Sequence, residues 1–198
     1  MLKIAITGNI AAGKSTVEKL ISEMGFLVVD TDKISHNLIE SDIATINEIK
    51  NLFNNCNIMD ENGNISRKKI SKIIFKNTEY KIQLEKIIHP KVKIELQKLY
   101  ANYPEQKVIF VAVPLLFEAK FETDFDKIIL VAADENIREA RLLRRNNYSI
   151  EHAKSRIKSQ THQDEKFLRS DYIIYNNSDI SSLEKSTQDV IKKIQNSI

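Results

Sequence analysis

Residues 8–15 read Gly-Asn-Ile-Ala-Ala-Gly-Lys-Ser and match the spacing G-x-x-x-x-G-K-[ST]. In such a loop Gly8 lets the chain leave a strand sharply. Gly13 permits a tight curve in which backbone N–H groups point inward as an anion-binding nest. The helix that follows adds the positive end of its dipole. The motif therefore predicts a site for the phosphates of a nucleoside triphosphate, without specifying the base or the reaction.

The polar side chains after Gly13 have separate expected roles. Lys14 is expected to reach the β- and γ-phosphates, the Ser15 hydroxyl to ligate Mg²⁺, and Thr16 to donate to the α-phosphate. Because the chain contains only four glycines, two of them in this window, a chance match would be rare. We therefore interpret the motif as a true phosphate loop.

Two carboxylates, Asp30 and Asp32, follow the second apolar run of the chain. Residues at the carboxyl ends of parallel strands line the ligand crevice of an α/β sheet. A carboxylate there can accept the proton of an attacking hydroxyl or hold the water shell of a metal ion. Alternatively, it only caps the next helix. We favour the catalytic role for Asp32 and leave both interpretations open for Asp30.

Arginines are concentrated between residues 138 and 169. Arg141 and Arg145 are four residues apart and so lie on one face of a predicted helix. Arginines over a triphosphate neutralise the charge of the transferred phosphoryl group, and a polar segment that carries them can close and exclude water. The alternative is a solvated helix face with no role in chemistry.

These residues need a scaffold, and five short apolar runs predict it. The runs do not alternate and are separated by helical patterns, which is typical of a buried parallel sheet covered by helices on both faces. They are Leu2–Thr7, Phe26–Val29, Val108–Val113, Lys127–Ala132 and Tyr172–Tyr175. Apolar residues at helical spacing predict a first helix over Lys14–Met24, which Gly25 ends.

The intervals between the predicted strands divide the chain. Residues 33–105 show helical periodicity and no convincing strand, and they are much longer than an ordinary crossover. We therefore predict three parts: a core of residues 1–32, 106–137 and 170–198, a helical insertion of residues 33–105, and an arginine-bearing segment of residues 138–169 that can close as a lid.

Composition limits the class of protein further. The 198 residues, 42% hydrophobic and 29% charged, are those of an ordinary globular chain, and the net charge of +3 excludes a strongly basic nucleic-acid binder. No run approaches the ~20 apolar residues of a membrane-spanning helix. The single cysteine, Cys56, excludes an internal disulfide and fits a reducing compartment. We expect a cytoplasmic protein without nucleic-acid or membrane partners, either a monomer or a weak homo-oligomer.

Further motifs, in order along the chain, resemble those of the bacterial dephospho-coenzyme A kinases. The matching stretches are ITGNIAAGKST at 6–16, VVDTDKISHNLIE at 28–40, NGNISRKKISKIIF at 62–75, LEKIIHPKV at 84–92, VPLLFE at 113–118, RLLRRN at 141–146, RIKSQ at 156–160 and EKFLRSDYIIYNNS at 165–178. Several motifs in the same order are more specific than the phosphate loop by itself.

The resemblance implies an α/β fold: a P-loop nucleoside-kinase-like core with a five-stranded parallel sheet, a lid, and a helical insertion of residues 33–105 that binds the CoA acceptor. It implies transfer of phosphate from ATP, with Mg²⁺, to the ribose 3′-hydroxyl of dephospho-CoA. The implied catalytic residues are Asp32 as the base, Lys14 and Arg141. The residues implied to bind ATP are Gly8, Ala11, Ala12, Gly13, Lys14, Ser15, Thr16, Arg141 and Arg145. Those implied to bind the acceptor are Asp32, His36, His89, Leu115, Phe117 and Glu118.

Some of these positions have other interpretations, and some depart from the family pattern. His89 precedes Pro90 and could equally mark a helix boundary, since a residue before proline is pushed out of the helical region. Alanine fits only where φ is negative, so Ala11 and Ala12 are expected to stiffen a loop usually richer in glycine. The turn after the last strand, residues 176–179, lacks its usual glycine, which leaves its geometry open.

Three rival functions remain. The first is another small-molecule kinase, acting on a nucleoside monophosphate or a similar hydroxyl acceptor. The second is a GTPase-type switch, since Asp60-Glu61-Asn62-Gly63 spells D-x-x-G; however, no predicted strand leads into it and no Asn-Lys-x-Asp motif occurs. The third is a non-catalytic protein that binds coenzyme A.

Overall fold

The computed structural model describes residues 1–146 and 149–197, apart from the side chains of Arg145, Asn146 and His152. The chain forms two compact units. The first consists of Met1–Asp30 and Glu105–Ile198, and the second of Thr31–Pro104. The first unit contains the sheet, and the second is helical.

The predicted five-stranded parallel sheet is confirmed in the first unit. Its strands are β1 (Leu2–Gly8), β2 (Val28–Asp30), β3 (Val108–Ala112), β4 (Lys127–Ala132) and β5 (Tyr172–Tyr175). They lie in the order β2-β3-β1-β4-β5, so β1 is central and its carboxyl end opens between β3 and β4. β2 begins two residues later than predicted, and Phe26 before it packs edge-on against Phe110 with 5.4 Å between ring centroids.

The first helix, α1 (Lys14–Glu23), begins directly after the phosphate loop and buries Val17 and Ile21 against the sheet. Gly25 ends it, as predicted, with φ at 88°. The Gly25 N–H donates to the carbonyl of Ser22 at 2.9 Å, and the next N–H donates to the carbonyl of Ile21 at 3.4 Å. This pair of bonds needs a left-handed residue at the helix end, which glycine adopts without strain.

The second unit consists of helices, as predicted for this segment. They are α2 (Thr31–Ser41), α3 (Ile43–Leu52), α4 (Arg67–Lys76) and α5 (Thr78–Asn102). The D-x-x-G residues form a turn here, in which Asp60 accepts the N–H groups of Asn62 and Asn64, each at 2.9 Å.

Helix α5 runs through Pro90 without a break, so the interpretation of His89 as a helix boundary is wrong. An interior proline costs a helix about 3 kcal/mol. On both sides of the proline, α5 packs against α2, α3 and α4 and so buries Ile88, Val92 and Leu96. This packing holds the helix together across the proline.

The remaining helices belong to the first unit. They are α6 (Glu135–Asn146), α7 (Ile150–Lys158), α8 (Gln163–Leu168) and α9 (Ile180–Gln195). The turn before α9 forms without glycine, because Asn177 and Asp134 exchange two hydrogen bonds of 2.9 Å. Asp179 then caps α9 by accepting the Ser182 N–H at 2.8 Å. Side-chain bonds thus replace the missing glycine.

Candidate active site

The phosphate loop leaves β1 at Gly8, where that strand is paired with β4. Gly8 pairs with Val131, and a Cβ on Gly8 would lie 2.5 Å from the carbonyl oxygen of Val131. The close approach of two strands therefore requires glycine here. Inside the loop, the carbonyl of Asn9 accepts the Ala12 N–H at 3.0 Å and closes the curve.

The curvature of the loop depends on two left-handed residues. Gly13 has φ at 99° and Ala11 has φ at 62°. The expectation that both loop alanines take negative φ is therefore wrong for Ala11, and Ala12 between them does keep a negative φ. An alanine in this region is strained by roughly 1–2 kcal/mol relative to its ordinary conformations. The loop forms because contacts around it compensate for that cost.

Asn176, the residue directly after β5, fixes the loop from the other side. Its Nδ2 donates to the carbonyl of Ala12 at 2.8 Å, and its backbone N–H donates to the carbonyl of Ala132 at 2.8 Å. A Cβ on Gly13 would lie 2.0 Å from this Nδ2, so a side chain at Gly13 would displace Asn176. The missing glycine at residues 176–179 indicates an unusual turn, but no sequence pattern links Asn176 to the phosphate loop.

Arg141, on α6, is held beside the phosphate loop by three hydrogen bonds, two to Asn176 and one to the loop itself. Its Nη2 donates to the backbone carbonyl of Asn176 at 3.0 Å and to the Asn176 Oδ1 at 3.1 Å, and its Nη1 donates to the carbonyl of Ala11 at 3.4 Å. The structure thus brings the predicted arginine and the predicted loop together. The Arg145 side chain lies outside the described residues, so its expected ATP contact is untested.

Lys14 begins α1, and its Nζ lies 2.7 Å from Oε1 of Glu18, one helical turn later. Both side chains are more than four-fifths buried. Ser15 is exposed and Thr16 half-buried in the first turn of the helix. Glu18 was not among the predicted site residues, although its i, i+4 spacing from Lys14 indicates such a pair.

The outer face of the loop packs against the predicted lid. Ile10 and Ala11 contact an apolar cluster formed by helices α6 and α7. Its members are Leu142, Leu143, Ala153 and Ile157. The apolar residues at the x positions of the G-x-x-x-x-G-K-[ST] motif therefore have a packing role. The segment after α7 also touches the loop, since Gln160 Oε1 accepts the Ile10 N–H at 2.7 Å.

The residues after β3, predicted to contact the acceptor, have different surroundings. Leu115 is 41% exposed, whereas Phe117 is buried, with the Arg169 guanidinium 4.4 Å from its ring centroid. Glu118 Oε1 lies 2.9 Å from Nζ of the buried Lys166. Burial acts to raise the pKa of Glu118, but the hydrogen bond and charge of Lys166, together with backbone hydrogen bonds that include the one from Thr161, outweigh it and hold that pKa below its usual value. Glu118 is therefore ionised and paired.

The other predicted acceptor residues belong to the Thr31–Pro104 unit. Asp32 is exposed in the first turn of α2, and His36 is half-buried one turn later on the same helix. His89 is half-buried on α5, and this burial lowers its pKa, so the imidazole is neutral near pH 7. Asp32 and His36 share one face of α2, as their spacing of four residues requires.

The donor atoms of the loop suit a hard cation. Across residues 1–146 and 149–197, no cluster of three or more His, Cys, Asp or Glu side chains is arranged to hold a metal ion. The exposed Ser15 hydroxyl is an oxygen donor beside the nest, and Mg²⁺ is commonly held by one or two protein oxygens, with phosphates and water completing its shell. These residues therefore fit Mg²⁺ bound together with a nucleotide.

Three features define a phosphate-loop enzyme of the kinase class. They are a central strand that leads into the loop, a lysine in the first helical turn after it, and an arginine bonded to a carbonyl of the loop. In the described part of the chain, no helix is both long and apolar enough to cross a membrane.

Comparison with known proteins gives the family. The family model described as dephospho-CoA kinase matches residues 2–182. A dephospho-CoA kinase from Fusobacterium nucleatum is 41% identical over 185 residues, which are 93% of this chain and 94% of that protein. The crystal structure of TT1252 from Thermus thermophilus is similar with a TM-score of 0.83 and 29% identity, over 97% of both chains. A dephospho-CoA kinase from Campylobacter jejuni has a TM-score of 0.72 and 30% identity, over 97% of this chain and 96% of that one. The chain belongs to the dephospho-CoA kinase family.

Proposed function

We propose that the protein transfers the γ-phosphoryl group of ATP to the ribose 3′-hydroxyl of dephospho-CoA, giving coenzyme A and ADP. The hydroxyl oxygen forms a bond to the γ-phosphorus while the bond from that phosphorus to the β–γ bridging oxygen breaks. The hydroxyl proton passes to a carboxylate. The observation that supports this best is the position of Arg141, whose guanidinium bonds both to the phosphate loop and to Asn176.

The phosphate side of the reaction is assigned to groups around the loop. Backbone amides of the loop and Lys14 hold the β- and γ-phosphates, and Arg141 neutralises charge on the group in transfer. Thr16 donates to the α-phosphate, and Ser15 would hold Mg²⁺. Mg²⁺ held there would supply positive charge that offsets the negative charge of the phosphates. Lys14 must exchange its Glu18 partner for phosphate oxygens, which i, i+4 neighbours on a helix allow by side-chain rotation.

The acceptor side is assigned to residues that follow the strands. Asp32 acts as the general base, two residues beyond the carboxyl end of β2, where parallel sheets bind their ligands. His36 and the neutral His89 are proposed as hydrogen-bonding groups for the acceptor. Leu115, which is exposed, offers apolar contact, and Phe117 and Glu118 are proposed as further residues of the acceptor site.

The substrates also bear on where the protein works. ATP and dephospho-CoA are its proposed partners, and we place the reaction in the cytoplasm, where a free thiol such as Cys56 persists. Neither nucleic acid nor membrane is needed for the reaction, and a monomer or weak homo-oligomer would suffice.

The test is a transfer assay with ATP labelled at its γ-phosphorus. Dephospho-CoA, a nucleoside monophosphate and a simple alcohol acceptor are compared, and the phosphorylated position is found by NMR. We expect label on the 3′-oxygen of dephospho-CoA. Equal or faster transfer to the nucleoside monophosphate would instead favour the rival small-molecule kinase, and binding without transfer would favour a non-catalytic protein.

A further inference from the structure

The segment that joins α7 to α8 is fastened to the phosphate loop. Gln160 Oε1 accepts the backbone N–H of Ile10 at 2.7 Å. At the next residue, the carbonyl of Thr161 accepts from Nδ2 of Asn9 at 3.3 Å. Asn9 is 4% exposed, so the second bond is shielded from water. Two consecutive residues of the segment thus contact two consecutive residues of the loop.

The same segment is held from its other side by a charged pair. The Thr161 N–H donates to Glu118 Oε1 at 3.0 Å, and this oxygen also lies 2.9 Å from the Lys166 ammonium. Lys166 is fully buried, which an ammonium tolerates only next to a counter-charge. The Glu118–Lys166 pair joins the residues after β3 to α8. Thr161 bonds to Glu118 through its N–H and to Asn9 of the loop through its carbonyl, so it links the pair to the loop.

This arrangement affects the phosphate site through Ile10. A backbone N–H that is bonded at 2.7 Å to a side chain has a fixed direction, and it is not available to a phosphate. The residue after Ile10 is the strained Ala11, whose φ of 62° turns the following amides. A fixed orientation of the Ile10 backbone therefore fixes the start of the curve, and with it the direction of the amides that follow.

We propose that Gln160 is a positioning residue for the phosphates, acting through the Ile10 N–H, and that the Glu118–Lys166 pair holds it in place. It touches no reacting atom. Its effect on turnover rests on the proposed function, whereas its effect on phosphate binding does not.

The test measures ADP binding by calorimetry, since ADP engages the loop without the acceptor. Gln160→Leu removes the hydrogen-bond acceptor and keeps most of the volume. We expect it to weaken ADP binding about five- to tenfold, the range expected for the loss of one partly buried hydrogen bond. The matched control is Ser159→Ala, because the Ser159 hydroxyl donates only to the carbonyl of Arg156 within its own segment. That variant should bind ADP as the wild type does.

A rescue variant separates positioning from folding. Gln160→Glu restores an acceptor at the same place but adds a negative charge near the phosphates. We expect its ADP affinity to approach that of the wild type at high salt, where the repulsion is screened. Thermal midpoints of all variants should stay close to that of the wild type.

Two results would overturn the proposal. One is wild-type ADP affinity in Gln160→Leu, and the other is equal weakening in Gln160→Leu and Gln160→Glu at high salt. Failure of the wild type to phosphorylate dephospho-CoA would count against the proposed function only, because ADP binding is measured without acceptor.

Discussion

The carboxamide of Asn176 joins the phosphate loop to Arg141. Its Nδ2 donates to the carbonyl of Ala12 at 2.8 Å, while its Oδ1 accepts from Nη2 of Arg141 at 3.1 Å. One side chain at the end of β5 therefore sets both the curve of the loop and the position of the arginine. It also explains Gly13, since a side chain there would collide with the same amide.

The two roles of Asn176 can be separated by substitution. Asn176→Asp removes the donor to Ala12 and leaves a stronger acceptor for Arg141, so we expect loss of ADP affinity without loss of the arginine's position. Asn176→Ala removes both and should also lower the free energy of unfolding by roughly 2 kcal/mol, because buried partners lose their bonds. Calorimetry and urea unfolding check this. Equal ADP affinity in Asn176→Asp and the wild type would contradict the role in the loop.

Asp32 is the proposed base, so Asp32→Asn should reduce kcat by about 10²–10⁴ while ATP affinity stays near that of the wild type. Single-turnover kinetics and calorimetry measure the two quantities. Asp30→Asn is the comparison variant, because it removes the other carboxylate after β2. Wild-type turnover in Asp32→Asn, or a larger loss in Asp30→Asn, would show that Asp32 is not the base.

Arg141→Met should lower kcat by on the order of 10³, since an arginine that stabilises the transferred group contributes this much or more. Arg141→Lys should recover little, because an ammonium cannot reproduce the planar fork that bonds to Asn176 and Ala11. The matched control is Arg144→Met, an exposed residue of the same helix, for which steady-state rates should barely change. A comparable loss in both methionine variants would contradict a specific role for Arg141.

Ala11→Gly should raise the free energy of unfolding by about 1 kcal/mol, because glycine adopts φ of 62° without the strain of a Cβ. The neighbouring Ala12→Gly is the control. Ala12 is fully buried and keeps a negative φ, so the same change there should destabilise the fold. Urea unfolding measures both variants, and a destabilised Ala11→Gly would show that the backbone there is not strained.

Replacing Lys166 should change how stability depends on pH. In the wild type, Glu118 has its pKa held below its usual 4.5, so its contribution is complete above that pH and is lost as the pH falls through the lowered pKa. In Lys166→Met, the Thr161 N–H still donates to Glu118, but the bond and charge of the lysine no longer oppose burial, so the pKa of Glu118 rises. The variant should be less stable by about 3 kcal/mol at neutral pH, because a buried carboxylate loses its counter-charge.

The pH series makes that prediction specific. As the pH falls from about 7 to 4, protonation of Glu118 removes the unpaired buried charge from the variant. The gap in unfolding free energy between the two proteins should therefore narrow. Glu118→Gln combined with Lys166→Met should remove most of the pH dependence of the gap. A gap of constant size across this range would contradict the pairing.

Much of the scaffold could be predicted because it depends on local pattern. The five apolar runs became the five strands, and Gly25 ends α1 as its position indicates. The predictions that were wrong concern residues whose backbone conformation depends on contacts distant in sequence. Ala11 is left-handed because the loop is fixed by Asn176 and packed against α6 and α7, and α5 continues through Pro90 because three neighbouring helices hold it. Neither influence is visible in a window of a few residues.

The sequence by itself determined the phosphate loop, the parallel sheet and the family, because spacing and apolar periodicity are local properties of the chain. Only the tertiary structure decided which side chains act together. Asn176 lies more than 160 residues from Ala12 along the chain, and Gln160 lies 150 from Ile10, yet each forms a bond of less than 3 Å with the loop. A hydrogen bond is set by distance in space, and the folding of the parallel sheet brings these residues to one edge.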